Sequence, residues 1–235
     1  MWVKICGNTN LEDAALAAEL GADAVGFVFA ASKRQVTAAQ VAAITPHLPG
    51  EVERVGVFYS RDAEEIAQTA SDAGLTAVQL HGGLDEGLIE ALAKRFAERV
   101  RIIQTLHWTI GEQTLGGKAD ATAESSAVLL AGQIERVAAL GMVDRVLIDS
   151  KVGAAGGGTG VAFDWIAARK AFASAPSSVH LIVAGGLRPG NVAEAIAQLG
   201  PWGVDVSSGV EASPGRKSPE LLAQFIENAH GAQTP

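Results

Sequence analysis

The sequence predicts an α/β fold of one domain, a (β/α)8 barrel of the TIM type spanning residues 1–230, and three observations predict it. A short phrase recurs along the chain: an amphipathic run closes on a glycine, two or three small residues follow, and a β-rich apolar run begins. The apolar runs lack strict alternation, as expected of strands covered on both faces in a parallel sheet. Eight such runs alternate with helical segments, which favours the closed barrel over its runner-up, a doubly wound open sheet.

The first strand is expected at Val3–Cys6, almost at the start of the chain, and it delivers the single cysteine to its carboxyl end. The recurring phrase then gives a second strand in Gly21-Ala22-Asp23-Ala24-Val25-Gly26-Phe27-Val28-Phe29 and a fourth in Gly74-Leu75-Thr76-Ala77-Val78-Gln79-Leu80-His81. A sixth lies in Gly141-Met142-Val143-Asp144-Arg145-Val146-Leu147-Ile148-Asp149 and an eighth in Gly200-Pro201-Trp202-Gly203-Val204-Asp205-Val206. Val55–Phe58, Arg101–Thr105 and Leu181–Ala184 supply the third, fifth and seventh. Helix starts are marked by Thr9-Asn10-Leu11-Glu12 and Thr37-Ala38-Ala39-Gln40, both of the capping-box form. Pro189 and Pro219 suit a first helical turn, where a missing N–H costs nothing. Leu106–Ser126 is polar and weakly periodic, so a long loop is expected there, followed by a helix from about Ala127 to Leu140. The tail 231–235 is expected to fray.

Composition narrows the function. With 48% hydrophobic residues in 235 there is material for a large core, and no apolar run reaches the roughly 18 residues that span a bilayer. Lys4 and Cys6 stand where a signal peptide would need its apolar stretch, and one cysteine forms no internal disulfide, so a reducing cytoplasm and no membrane partner are expected. A net charge of −8 without a basic block argues against nucleic acid. Any anion site must therefore be built locally from amides or a few placed cations.

Barrel active sites lie at the carboxyl ends of the strands. The polar and glycine residues gather there: Cys6-Gly7, Ser32-Lys33-Arg34, His81-Gly82-Gly83, Asp149-Ser150, Gly156-Gly157-Gly158-Thr159-Gly160, Gly185-Gly186 and Ser207-Ser208-Gly209. Cys6 is either a small buried hydrophobe or a reactive thiol. Asp149 is either a structural acceptor or a proton donor, and His81 either contacts substrate or holds its loop. Gly157, Gly158, Gly185, Gly186, Ser207, Ser208 and Gly209 are candidates for a phosphate cradle, since amides approach phosphate closely where no Cβ intervenes. No Walker-type loop is present, which disfavours a nucleoside triphosphate. His47, His107, His180 and His230 are scattered in sequence, so no metal site is expected.

In order from end to end, Val3-Lys4-Ile5-Cys6-Gly7, Gly26-Phe27-Val28-Phe29, Val78-Gln79-Leu80-His81-Gly82, Leu147-Ile148-Asp149-Ser150, Gly157-Gly158-Thr159-Gly160, Phe163-Asp164-Trp165, Ala184-Gly185-Gly186-Leu187, Gly203-Val204-Asp205-Val206-Ser207-Ser208-Gly209-Val210-Glu211 and Pro214-Gly215 resemble the phosphoribosylanthranilate isomerase family of tryptophan biosynthesis. The resemblance implies a cofactor-free Amadori rearrangement of a phosphorylated small molecule, with Cys6 as general base and Asp149 as general acid. It also implies that Arg34 meets the anthranilate moiety, and Lys4 and His81 are expected among the substrate-binding residues. Relatives occur as monomers or homodimers. Ala30-Ala31-Ser32-Lys33-Arg34 is shorter than the family's proline-rich loop, which loosens the register of Arg34. Two alternatives stay open. The related aminoimidazole ribotide isomerases carry an aspartate where this chain has Cys6, and a non-catalytic phosphate-binding barrel would use Cys6 only for packing.

Overall fold

In a computed structural model that describes residues 1–110, 119–152 and 165–232, eight parallel strands close into a barrel in chain order. They are β1 (Trp2–Ile5), β2 (Ala24–Val28), β3 (Glu53–Phe58), β4 (Ala77–Leu80), β5 (Arg101–Ile110), β6 (Arg145–Val152), β7 (His180–Val183) and β8 (Gly203–Val206). Helices α1 (Leu11–Glu19), α2 (Ala38–Ala42), α3 (Ala63–Asp72), α4 (Glu86–Phe96), α5 (Ala119–Leu140), α6 (Trp165–Ala173), α7 (Val192–Leu199) and α8 (Pro219–Gly231) follow the strands in turn. A small antiparallel hairpin, β9 (Glu211–Ser213) with β10 (Arg216–Lys217), fills the connection between β8 and α8. The barrel is the predicted one. No helix among the described residues is long and apolar enough to cross a membrane.

Side chains alternate in and out along each strand, and the two sets do different work. Val3, Ile5, Val25, Phe27, Val78, Ile102, Val146, Ile148 and Val204 point outward into the main core, where helix residues such as Ile66, Leu92, Ile134, Ile196 and Phe225 cover them. Inside the barrel a smaller aliphatic layer forms from Ala24, Val55, Ala77, Ile103, Leu147, Ile182 and Ala184. Each fully buried Val, Leu or Ile contributes on the order of 1.5–3 kcal/mol relative to exposure. Both faces of every strand are thus covered, which is why the sequence shows apolar runs rather than alternation.

Beneath the inner layer, at the amino-terminal end, the barrel is plugged. Trp2 and Trp202 stack with ring centroids 5.2 Å apart, and His180 stacks on Trp202 at 4.7 Å. The Arg145 guanidinium lies 4.9 Å from the Trp202 ring and 5.3 Å from that of Trp2, while its Nη1 donates to Glu53. A Cβ on Gly203 would stand 2.8 Å from the Trp2 ring, so β8, the neighbour of β1, is bare where the indole needs space.

Four sequence expectations change. Thr37 makes the full capping box at α2, but α1 is capped by Asn10, which accepts from the Asp13 amide, while the Thr9 hydroxyl donates to the Gly215 carbonyl. Pro219 occupies the first turn of α8, whereas α7 begins only at Val192, after Pro189. β5 runs on to Ile110 rather than ending at Thr105, because Leu106 and Trp108 continue its outward apolar face and its last residues pair with β6. Helix α5 starts at Ala119, within the stretch expected to be a long loop; residues 111–118 of that stretch lie outside the described residues, as do 153–164 and 233–235.

Candidate active site at the carboxyl-terminal mouth

A cavity of about 610 Å³ opens at the carboxyl ends of the strands. Cys6, Arg34, His81, Asp149, Gly185, Gly186, Ser207, Ser208 and Gly209 all line it, so residues spread over most of the chain converge there. Gly157 and Gly158 lie outside the described residues.

Cys6 follows β1 directly and is buried. It stands in register with Trp2 and Lys4 on the inward face, and Gly26 of β2 makes room for both: a Cβ there would be 2.8 Å from the Cys6 sulfur and 3.1 Å from Lys4 Cε. Lys4 does not line the cavity. It is wholly buried below Cys6, with Nζ 2.7 Å from Asp205 Oδ1. Burial pulls the Lys4 ammonium down, but Asp205 and Cys6 outweigh it and hold it above the ordinary lysine range. Burial pushes the Cys6 thiol up, and the Lys4 charge opposes that shift without cancelling it. The chain thus places a cation where a thiolate would form.

Asp149 sits on the inward face of β6 and is largely buried. His81 Nε2 stands 3.4 Å from its Oδ2. Gln79 Nε2 bonds His81 Nδ1 at 3.2 Å and donates to Thr105 Oγ1 at 3.1 Å, so the amide that grips the ring is itself held. With Gln79 donating, Nδ1 is the acceptor and Nε2 carries the proton toward Asp149. Tyr59 packs against His81 at 4.8 Å on one side and His107 meets it edge-on at 4.9 Å on the other.

His107 was expected among the scattered histidines; the fold brings it to the site. It bonds the His81 carbonyl through Nε2 at 3.1 Å. The continuing alternation Thr105-Leu106-His107-Trp108 was the signal that could have placed it there. Together His81, His107 and Asp149 offer three donor atoms within 4.8 Å of one another, near enough to hold a cation.

Across the mouth, β7 and β8 supply Gly185-Gly186 and Ser207-Ser208-Gly209. A Cβ on Gly209 would lie 1.8 Å from the Leu187 carbonyl oxygen, so this glycine lets the two loops touch. Above Cys6, Arg34 donates through Nε and Nη2 to the two oxygens of Glu211 at 2.7 and 2.6 Å. Glu211 enters the sequence reading only as the last residue of the motif at 203–211, with no role assigned, and its second partner, Lys217, does not enter it at all.

The model of the family described as N-(5'-phosphoribosyl)anthranilate (PRA) isomerase matches residues 3–228. The N-(5'-phosphoribosyl)anthranilate isomerase of Thermotoga neapolitana is 41% identical over 233 residues, covering 97% of this chain and 98% of the relative. The crystal structure of phosphoribosyl anthranilate isomerase from Thermotoga maritima superposes with a TM-score of 0.79 at 37% identity, covering 98% of this chain and 99% of that one. Another solved phosphoribosyl anthranilate isomerase, in complex with reduced 1-(o-carboxyphenylamino)-1-deoxyribulose 5-phosphate, gives a TM-score of 0.77 at 35% identity, with coverage of 98% and 99%.

Proposed function

Because the chain belongs to the N-(5'-phosphoribosyl)anthranilate isomerase family, an isomerase family of tryptophan biosynthesis, we propose that its cavity performs the cofactor-free Amadori rearrangement of N-(5-phosphoribosyl)anthranilate with Cys6 as base and Asp149 as acid. The observation that carries this assignment is that these two groups, from strands β1 and β6, line one cavity that also holds the two glycine- and serine-bearing loops.

The steps follow from what each group can do. Gly185, Gly186, Ser207, Ser208 and Gly209 hold the phosphate with amides and hydroxyls, fixing the ribose between acid and base. Asp149 gives its proton to the furanose ring oxygen. The C1′–O bond breaks toward that oxygen as the anilino nitrogen's lone pair forms the iminium. Cys6 as thiolate then takes the C2′ proton, and the C–H electrons move into the new C1′=C2′ bond and neutralise the nitrogen. The enolamine tautomerises to the 1-deoxyribulose ketone. His81 orients the Asp149 carboxyl from 3.4 Å, solvent takes the proton from Cys6 and returns one to Asp149 once the product leaves, and Arg34 reads the anthranilate carboxylate.

Lys4 takes a different part from the one expected of it. Shut away from the cavity, it serves the thiol: its ammonium stabilises the thiolate, and Asp205 keeps it protonated. Each proton transfer is worth roughly a hundredfold or more in rate.

The test follows the loss of anthranilate fluorescence with purified wild type, Cys6→Ser and Asp149→Asn. Turnover by wild type without added cofactor, lost in both folded variants, is the expected result. Inert folded wild type would instead favour a binding barrel, and an active Cys6→Ser would move the base elsewhere.

A further inference from the structure

Glu211 opens the hairpin after β8 with its side chain buried, and it accepts from two cations. Arg34 binds it through two parallel bonds, a planar fork that leaves Nη1 outside the pair, and Arg34 lines the cavity. Gly7 permits this course, because a Cβ there would stand 2.6 Å from Arg34 Cδ. Lys217, wholly buried on β10, donates from Nζ to Glu211 Oε1 at 3.2 Å, to the Cys6 carbonyl at 2.6 Å and to the Ser207 carbonyl at 3.1 Å.

The charges of this cluster decide what Arg34 can do. An isolated Arg34–Glu211 pair is neutral, and a guanidinium already paired attracts a second carboxylate weakly. The three acceptors around Lys217 Nζ call for three N–H donors, which only the ammonium has. Burial draws Lys217 below the ordinary lysine range against the pull of Glu211, yet a neutral amine would turn a lone pair on one of these oxygens. Glu211 is likewise ionised: burial pushes it up, but Arg34 and Lys217 outweigh burial and hold it below the usual carboxylate range.

We infer that Lys217 is a positioning residue that makes the Arg34–Glu211–Lys217 cluster net cationic, so that Arg34 can bind the carboxylate on the ligand's aromatic ring. Lys217 never touches the ligand. It acts through Glu211, and its bonds to the Cys6 and Ser207 carbonyls hold that charge at a fixed distance from the thiol. The inference rests on the proposal that Arg34 meets the anthranilate carboxylate, and the experiment separates the two.

Competitive inhibition would be measured for two ligands, the reduced product analogue and the same molecule without its ortho-carboxyl group. The proteins are wild type, Lys217→Met, and the double variant Glu211→Gln with Lys217→Met. Lys217→Met should weaken the carboxylated ligand about tenfold, the effect of one charge-assisted bond, and leave the other within about twofold, as expected for a ligand that offers no partner charge. The double variant, which again has the single positive charge of Arg34 and no buried unpaired carboxylate, should regain the preference even if the single variant folds poorly. Equal weakening of both ligands, or a double variant that shows no preference, would overturn the inference. A wild type indifferent to the carboxyl group would overturn the Arg34 assignment and this inference with it.

Discussion

The two mouths of the barrel are made by the same eight strands and are built to opposite rules. At the amino-terminal mouth Trp2, Trp202, His180 and Arg145 stack into a plug, with Glu53 closing the ion pair. Large rings and a paired charge fill the space. At the carboxyl-terminal mouth glycines leave a cavity, and the ionisable groups Cys6, Asp149, His81 and Arg34 turn into it. The strand β6 shows the division within a single element, with Arg145 in the plug and Asp149 in the cavity, four residues and one inward-facing Leu147 apart. On the proposed assignment the plug serves stability and the cavity serves chemistry, with the aliphatic layer between them.

The largest expected effect tests that separation directly. Cys6→Ser or Asp149→Asn should lower kcat at least about a hundredfold, while the thermal midpoint stays close to wild type, because each replacement nearly preserves volume. A large loss of midpoint in either would join the two mouths energetically. The reverse experiment is Arg145→Met. Loss of the cation–π stack and of a pair that is mostly buried on the arginine side should cost about 2 kcal/mol, less than a fully buried pair because Glu53 keeps some exposure and a distant contact to Arg101. Urea unfolding measures this, and kcat of the folded variant should be unchanged.

A smaller effect sharpens the account of the cavity. Burial pushes the Cys6 thiol up and Lys4 pulls it back only in part. A base at Cys6, as proposed, would work deprotonated, so kcat/KM should climb with pH and still be climbing above the range of an ordinary thiol. Lys4→Met should move that limb to still higher pH; a limb that stays in place would remove Lys4 from the thiol's surroundings. Smallest of all, Arg136→Ala breaks an exposed pair with Glu86 that belongs to neither mouth and should change unfolding free energy by no more than about 0.5 kcal/mol.

The barrel was legible because it rests on local signals: the glycine that ends a helix and the apolar run that follows occupy a few consecutive residues. The cavity was legible where strand ends announced it, as at Cys6, Asp149 and Ser207. What escaped was set by parity and by distance. Lys4 has the same parity as Cys6, so the alternation of a strand places it inside the barrel, but alternation does not tell a substrate-binding lysine from one paired with Asp205 below the cavity. His107 lies two residues beyond Thr105 on the same inward face, in a polar stretch that reads as loop although β5 continues to Ile110. Lys217 gave no local sign at all, because its partner Cys6 is 211 positions away.

That last separation reaches beyond catalysis. The contacts around Cys6 join the first strand to the last: Lys4 meets Asp205 across 201 positions, and Lys217 clasps the Cys6 carbonyl. Such pairings are slow for a chain to find, since the entropy of closing so long a loop is lost before the contact compensates it. During synthesis β1 is made before β8, so a chain that lacks β8 has its thiol but no enclosure for it. The thiol of Cys6, buried once β1 and β8 pair, should therefore alkylate faster in a chain truncated before β8 than in the closed barrel.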